Sequence, residues 1–128
     1  MNSKFSEKES LLRAVYPANR RPDFWNNGRL SSAALKDKKG LSVERTYKRT
    51  AKEAALSMAK RFHGFIVSFT VPDCQAVHAY LRYCPSKNSP YHSEIYGSET
   101  QVELSDRQAF LLARSATVQF VPTVNCSD

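Results

Sequence analysis

The sequence lacks the features of membrane and secreted proteins. No apolar run approaches the roughly 20 residues that a helix needs to cross a bilayer, and the first ten residues lack the apolar centre of a signal peptide. There are three cysteines, an odd number without Cys-x-x-Cys spacing, and three scattered histidines. We therefore expect a cytoplasmic protein with no membrane partner, no disulfide framework and no bound metal.

Complete catalytic motifs are also missing. The chain has no G-x-x-x-x-G-K-[ST], no G-x-G-x-x-G, no H-E-x-x-H and no G-x-S-x-G sequence. P-loop nucleotide hydrolases and Rossmann enzymes are therefore set aside. The motifs leave open whether the protein is an enzyme, and they indicate no cofactor.

The length and composition are those of one folded domain. At 128 residues the chain can bury one core, and 41% hydrophobic and 24% charged residues are ordinary globular usage. We therefore predict a single domain over residues 1–128.

Residues 26–62 hold the charge excess of the whole chain. They contain ten Lys and Arg against three Asp and Glu, a surplus equal to the formal net charge of +7. Such a surplus favours polyanionic partners, of which nucleic acid is the commonest. The alternative is a solvated lysine-rich face without a partner. The residues expected to contact nucleic acid are Lys36, Lys38, Lys39, Lys48, Arg49 and Lys52.

The periodicity of apolar residues predicts an α+β fold. Two capping boxes, Thr50 with Glu53 and Ser105 with Gln108, predict where two helices begin. Strands are predicted at residues 11–16, 41–45, 65–71, 91–97 and 117–121, with 65–71 central and 117–121 at an edge. We expect a mostly antiparallel or mixed sheet of about five strands with two or three helices.

The first helix should present one apolar stripe. Ala51, Ala55, Met58 and Phe62 repeat at helical spacing after Thr50. We therefore expect all four side chains to face the core.

The pattern of residues 74–83 fits two structures. Asp73 could cap a helix over this segment, but alternation through Val77, Ala79 and Leu81 fits a strand nearly as well. In both alternatives Cys74 or Leu81 is an ordinary core residue.

His92 and Glu94 are the candidate catalytic pair. They lie two residues apart on a predicted strand, so both side chains point to the same face. A carboxylate next to an imidazole raises the pKa of the imidazole and holds it as an acid or base. The alternative is a surface His–Glu pair beside a loop.

Arg13 heads a second candidate set, for phosphate or nucleotide binding. Arginine forks and serine hydroxyls suit phosphate oxygens. The other members are Arg29, Ser31, Ser32, Ser42 and Arg45. The alternative is that Arg13 forms an ion pair with Glu44 or Glu94 inside the fold.

Three of these residues follow one another on successive predicted strands. Arg13 lies on the first strand, Ser42 on a strand after the Gly28-Arg29 turn, and Glu94 on a late strand. This order resembles the Arg…Ser…Glu arrangement of ADP-ribosyltransferase-like folds, which include NAD-degrading RES-type toxins and tRNA 2′-phosphotransferases. The resemblance implies that Arg13 and Ser42 hold the phosphates and ribose of NAD and that Glu94 acts in catalysis.

Three functions are consistent with the sequence. The first is a small basic domain that binds phosphate-rich ligands, above all nucleic acid. The second is an enzyme that acts on NAD or on a nucleotide end, of toxin or defence type. The third is a protein-interaction domain or homo-oligomer, in which the acidic residues of 94–106 meet the basic face of a second copy.

Overall fold

A computed structural model describes residues 1–123 of the chain, so Cys126 lies outside the described residues. The strands are β1 (Ser10–Val15), β2 (Trp25–Asn26), β3 (Arg29–Leu30), β4 (Leu41–Arg45), β5 (Phe65–Thr70), β6 (Tyr80–Tyr83), β7 (His92–Tyr96) and β8 (Thr117–Phe120). The helices are α1 (Ala51–Ala59), α2 (Val71–Ala76) and α3 (Asp106–Ser115), with short 3-10 turns at Pro22–Phe24 and Ser32–Leu35. The predicted α+β class is confirmed.

Six of the strands form one antiparallel sheet in the order β6-β7-β4-β1-β5-β8. The sheet has one strand more than expected, and β2 and β3 pair separately as a hairpin. The predicted edge position of β8 is confirmed, whereas β5 lies one strand in from the edge rather than at the centre.

The contact between β1 and β4 is short. β1 pairs with β5 along its whole length, but with β4 only at Leu11 opposite Arg45 and Leu12 opposite Glu44. Beyond Leu12 the two strands are not paired, and we call this unpaired stretch the gap in the sheet. This gap determines where a cleft can form.

The sheet has a helix on each face. Leu11, Val67 and Phe69 point to one face and pack in a core with α3, which we call the α3 face. Leu12 and Ile66 point to the other, the α1 face, where they pack against Ala54, Ala55 and Met58. Alternation along the strands therefore assigns each strand residue to one of two cores.

Both capping boxes are confirmed. The Thr50 hydroxyl accepts from the Glu53 amide while the Glu53 carboxylate accepts from the Thr50 amide, and Ser105 and Gln108 do the same. The stripe of α1 is only partly confirmed: Ala55 and Met58 are buried, but Phe62 is 42% exposed. Phe62 lies beyond Ala59, where the helix ends, so helical spacing no longer places its side chain.

The ambiguous segment 74–83 contains parts of both predicted structures. It begins in α2 and ends in β6, with a left-handed residue, His78, in the turn between them. The cap of α2 is Thr70, which accepts from the Asp73 amide, so the prediction that Asp73 caps the helix is wrong. Cys74 is fully buried, as expected, and burial raises its pKa to about 12.

Across residues 1–123, no helix is both long and apolar enough to cross a membrane.

Candidate functional site

A cleft of about 370 Å³ opens on the α1 face where β1 and β4 separate. Its walls come from β1, from β4 and from the C-terminal end of α1 and the turn that follows. Its apolar lining includes Met58 and Val43, which are both buried. Its polar lining consists mainly of cationic or ionisable side chains: Arg13, Arg20, Arg61, His63, His92 and a single acid, Glu44.

Glu44 is held in the cleft by one hydrogen bond. Arg61 Nη2 donates to Glu44 Oε2 at 2.7 Å, and Arg61 is partly open to solvent, with 36% of its side chain exposed. The Glu44 side chain is only 5% exposed, and its other oxygen, Oε1, has no hydrogen-bond partner among the described residues. Glu44, which lines the cleft, therefore carries a buried acceptor oxygen without a partner in the described part of the chain.

Arg13 crosses the gap between the two strands. Its Nη1 donates to the backbone carbonyl of Ser42 at 2.9 Å, while its Nε is buried without a partner in the described part of the chain. Burial lowers the pKa of Arg13, and the charge of Asp37 opposes that shift. Arginine nevertheless stays protonated in proteins, so Arg13 contributes a fixed positive charge.

Two exposed aromatic rings stand at the cleft, each with an arginine beside it. The guanidinium of Arg20 lies 4.6 Å from the ring centre of Tyr16, and that of Arg61 lies 5.2 Å from the ring centre of Phe62. Tyr16 is 45% exposed and Phe62 42%. The rings thus offer apolar faces next to positive charge.

His92 reaches the cleft but does not pair with Glu94. His92 Nδ1 lies 2.9 Å from the carbonyl oxygen of Cys84 and 3.5 Å from its sulfur, while Glu94 accepts from the hydroxyl of Tyr96. Burial raises the pKa of the Cys84 thiol and the charge of Glu94 adds to the shift, so Cys84 is not activated as a nucleophile. Glu94 is absent from the lining of the cleft.

The set implied by the family resemblance does not converge on one pocket. In the strand register Arg13 is opposite Val67 of β5, whereas Glu94 is opposite Ser42 of β4. Arg13 and Ser42 do line the same cleft, but Glu94 does not join them. The resemblance stays a prediction.

Other members of the phosphate set are used within the fold. Arg45 is fully buried and paired with Glu9, so it is not available to a ligand. The Ser31 hydroxyl donates to the carbonyl of Asp23. Ser32 begins a 3-10 turn, and exposed Arg29 lies in the β2–β3 hairpin, so neither lines the cleft.

The predicted nucleic-acid face is partly neutralised. Lys36 forms ion pairs with Asp106 at 3.0 Å and with Glu103 at 3.8 Å, because the start of α3 packs against the Ser32–Leu35 turn. This intramolecular pairing also engages two acids that were expected to meet a second copy. Lys38, Lys39, Lys48 and Lys52 are exposed and form no ion pair within residues 1–123.

Arg49, a residue of the predicted nucleic-acid face, lies near the charged residues of the cleft. Its guanidinium lies 3.4 Å from the ring centre of Tyr91, and it donates to the carbonyls of Arg45 and Thr46. Burial lowers the pKa of Arg49, and its charge interacts electrostatically with the charges of Glu44 and Arg61. Arg49 therefore adds to the positive potential near the cleft while supporting the loop after β4.

Several residues of the cleft were not predicted as site residues. The sequence suggested Glu44 only as an ion-pair partner for Arg13 and Phe62 only as a core residue. It gave no site role to Tyr16, Arg20, Arg61 or His63. The one sequence signal was the position of Arg61-Phe62-His63 just after a helix and before Gly64, where side chains leave the helical stripe.

Among residues 1–123, no group of three or more His, Cys, Asp or Glu is placed to hold a metal ion. Comparisons with protein-family models, with curated proteins and with solved structures gave no match to this chain. The function of the cleft is therefore argued from its geometry and chemistry.

Proposed function

We propose that this protein binds phosphate-rich ligands, and that its ligand is single-stranded nucleic acid. The observation that carries the proposal is the composition of the cleft, which combines three arginines with two exposed aromatic rings. Proteins that bind single strands use the same combination: positive groups follow the backbone while bases stack on aromatic side chains.

The cleft favours single strands over duplexes. In a duplex the base faces are stacked on one another and cannot reach a ring. Tyr16 and Phe62 each have a free portion of ring surface, and Arg20 and Arg61 stand close enough to contact the phosphates of a nucleotide stacked there. A base on a ring and its phosphate on the adjacent arginine form the unit of recognition.

The exposed lysines extend the site beyond the cleft. Lys48 follows β4 and Lys52 lies in the first turn of α1, two elements that also contribute residues to the cleft, and both lysines are exposed. Contacts of lysine with phosphates release counterions, so the affinity should fall steeply with salt.

The test is a titration of a labelled single strand of about ten nucleotides, followed by fluorescence anisotropy at several salt concentrations. Tyr16→Ala and Phe62→Ala should each weaken binding roughly tenfold, since stacking on one ring is worth about 1–3 kcal/mol. Phe110→Ala is the matched control. Phe110 is 52% exposed and also has an arginine nearby, Arg114 at 5.6 Å, but it lies on α3, away from the cleft.

Three results would contradict the proposal. They are no binding of the single strand, an affinity that does not change with salt, and an equal loss in the Phe110→Ala control.

A further inference from the structure

The unpaired oxygen of Glu44 is an unusual feature of the cleft. Buried polar atoms are nearly always hydrogen-bonded, and carboxylate oxygens in particular lose much when they leave water without a partner. Glu44 Oε2 is paired with Arg61, but Oε1 is buried without a donor among the described residues. An acceptor of this kind at a cleft is suited to a donor on a ligand.

The surroundings of Glu44 restrict that ligand group. Met58 and Ala14, which line the cleft and belong to the apolar cluster of the α1 face, give it an apolar surface, so a sugar would leave several hydroxyls unpaired there. A phosphate would be repelled by the carboxylate and fits the arginines better. A nucleobase has apolar faces and polar atoms only along its edge, so it suits this lining. The volume of about 370 Å³ is at the small end for ligand sites and suits one nucleotide.

A second unpaired atom narrows the choice of base. Arg13 lines the same cleft, and its buried Nε is a donor without a partner in residues 1–123. The unpaired acceptor and the unpaired donor of these two cleft residues match a Watson–Crick edge that carries an amino group beside a ring-nitrogen acceptor. Adenine and cytosine both have such an edge.

We infer that Glu44 selects the base: its Oε1 accepts a hydrogen bond from the amino group of an adenine or cytosine inserted in the cleft. This inference rests on the proposed function. Arg13 Nε donates to the neighbouring ring nitrogen, and the phosphate of the same nucleotide lies at Arg20 and Arg61.

The experiment compares short single strands of about five nucleotides that carry equal charge. One pair contains adenine or purine, which lacks the amino group. A second pair contains cytosine or pyrimidin-2-one, which also lacks it, and a fifth strand is abasic. All five are titrated against the wild type and against Glu44→Gln by fluorescence anisotropy at one salt concentration.

Wild type should bind the amino-bearing strand of at least one pair roughly tenfold more tightly than its partner. Glu44→Gln should abolish that preference, because its amide oxygen takes the bond from Arg61 and its amide nitrogen, a donor, occupies the free position. The loss of a negative charge should leave the abasic strand bound equally well or more tightly.

The two ideas fail in different ways. If wild type binds the abasic strand but shows no preference within either pair, or if Glu44→Gln keeps the preference, the inference about Glu44 is wrong and the proposed function stands. If wild type binds none of the five strands, the proposed function itself is wrong. The comparison of strands on the wild type needs no variant, so it stays decisive even if Glu44→Gln is poorly folded.

Discussion

Glu44 and Arg45 are neighbours in β4, yet they belong to two very different ion pairs. Arg45 points to the α3 face and pairs with Glu9, whereas Glu44 points to the α1 face and pairs with Arg61. The Glu9 carboxylate accepts four hydrogen bonds, and Glu44 accepts one. In the Glu9–Arg45 pair both carboxylate oxygens are hydrogen-bonded, and we call this pair complete. In the Glu44–Arg61 pair one carboxylate oxygen has no partner among the described residues.

The Glu9–Arg45 pair is completed by groups from distant parts of the chain. Glu9 accepts from Arg45 Nε and Nη2 and from the amides of Ser6 and Tyr47. Arg45 also donates from Nη1 to the carbonyl of Asn2 and from Nη2 to the carbonyl of Lys4. Three rings surround the guanidinium, those of Phe5, Tyr47 and Tyr83.

The difference in hydrogen bonding indicates different roles for the Glu9–Arg45 and Glu44–Arg61 pairs. A fully satisfied buried network fixes one structure and has no capacity left for a ligand. The Glu44–Arg61 pair keeps one carboxylate oxygen without a partner among the described residues, beside a partly exposed arginine and a cleft, so it retains hydrogen-bonding capacity for a ligand. One strand thus supplies a structural residue and a binding residue at successive positions.

The largest loss of stability should come from removing the Arg45 side chain from its pair with Glu9. Arg45→Ala leaves the Glu9 charge buried without its partner, and such changes cost about 3–5 kcal/mol of unfolding free energy. Urea denaturation measures the cost. The control is Arg29→Ala, at an exposed arginine with no ion pair in the described residues, where a change within about 0.5 kcal/mol is expected. Equal stability of the two variants would refute the structural role of Arg45.

The next largest effect is a contrast between two isosteric changes. Glu9→Gln puts an amide nitrogen among groups that all donate, so we expect it to lose roughly 2 kcal/mol of stability. Glu44→Gln keeps an oxygen for Arg61 and should change stability by less than about 1 kcal/mol. The measurement is again the urea midpoint at constant slope. If Glu44→Gln were the more damaging change, the distinction between the pairs would be wrong.

Arg61→Gln should lower both binding and stability. The Gln amide can still donate to Glu44, but the positive charge that faces this buried carboxylate is lost, so we expect a cost of about 1–3 kcal/mol of unfolding free energy. The affinity for a single strand should fall several-fold and the salt slope should become shallower, since one phosphate contact is lost. Lys87→Gln, at an exposed loop lysine outside the cleft, is the control for net charge. An unchanged affinity would remove Arg61 from the site.

The smallest expected effect is the loss, at acid pH, of the stability that Glu9 contributes. Burial by itself raises the pKa of Glu9, but the hydrogen bonds and charge of Arg45, with the amides of Ser6 and Tyr47, outweigh it, so the folded pKa is lowered. The folded state therefore binds fewer protons than the unfolded chain. The stabilisation is present above the unfolded pKa of about 4.3 and is lost as pH falls through the folded value.

The stability difference between wild type and Glu9→Gln should accordingly shrink when the pH is lowered from neutral to about 3. Glu7→Gln, at an exposed carboxylate nearby, controls for the general loss of negative charge. A difference that grew at low pH would contradict the assigned direction of the shift.

The parts of the fold that local rules govern could be predicted from the sequence. Thr50 and Ser105 mark helix starts because capping depends on residues three positions apart, and strand alternation located β1, β4, β5 and β7. The site could not be predicted in the same way. Alternation separates Glu44 from Arg45, but it does not say which face holds the cleft.

The pairings themselves depend on distant contacts. Glu9 and Arg45 are 36 positions apart, and Glu44 and Arg61 are 17 apart. Arg45 was expected to bind phosphate because an arginine near serines suits an anion, but the sequence does not show that Glu9 reaches it first. The gap after Leu12 arises from strand register, which no local pattern encodes.

The carbonyls of Asn2 and Lys4 bond to the buried guanidinium of Arg45, although both residues are exposed and lie outside any helix or strand. Trimming the protein ahead of Phe5 would strip two acceptors from a guanidinium that water cannot reach. A shortened version designed for crystallisation or labelling should therefore retain everything from Asn2 onward.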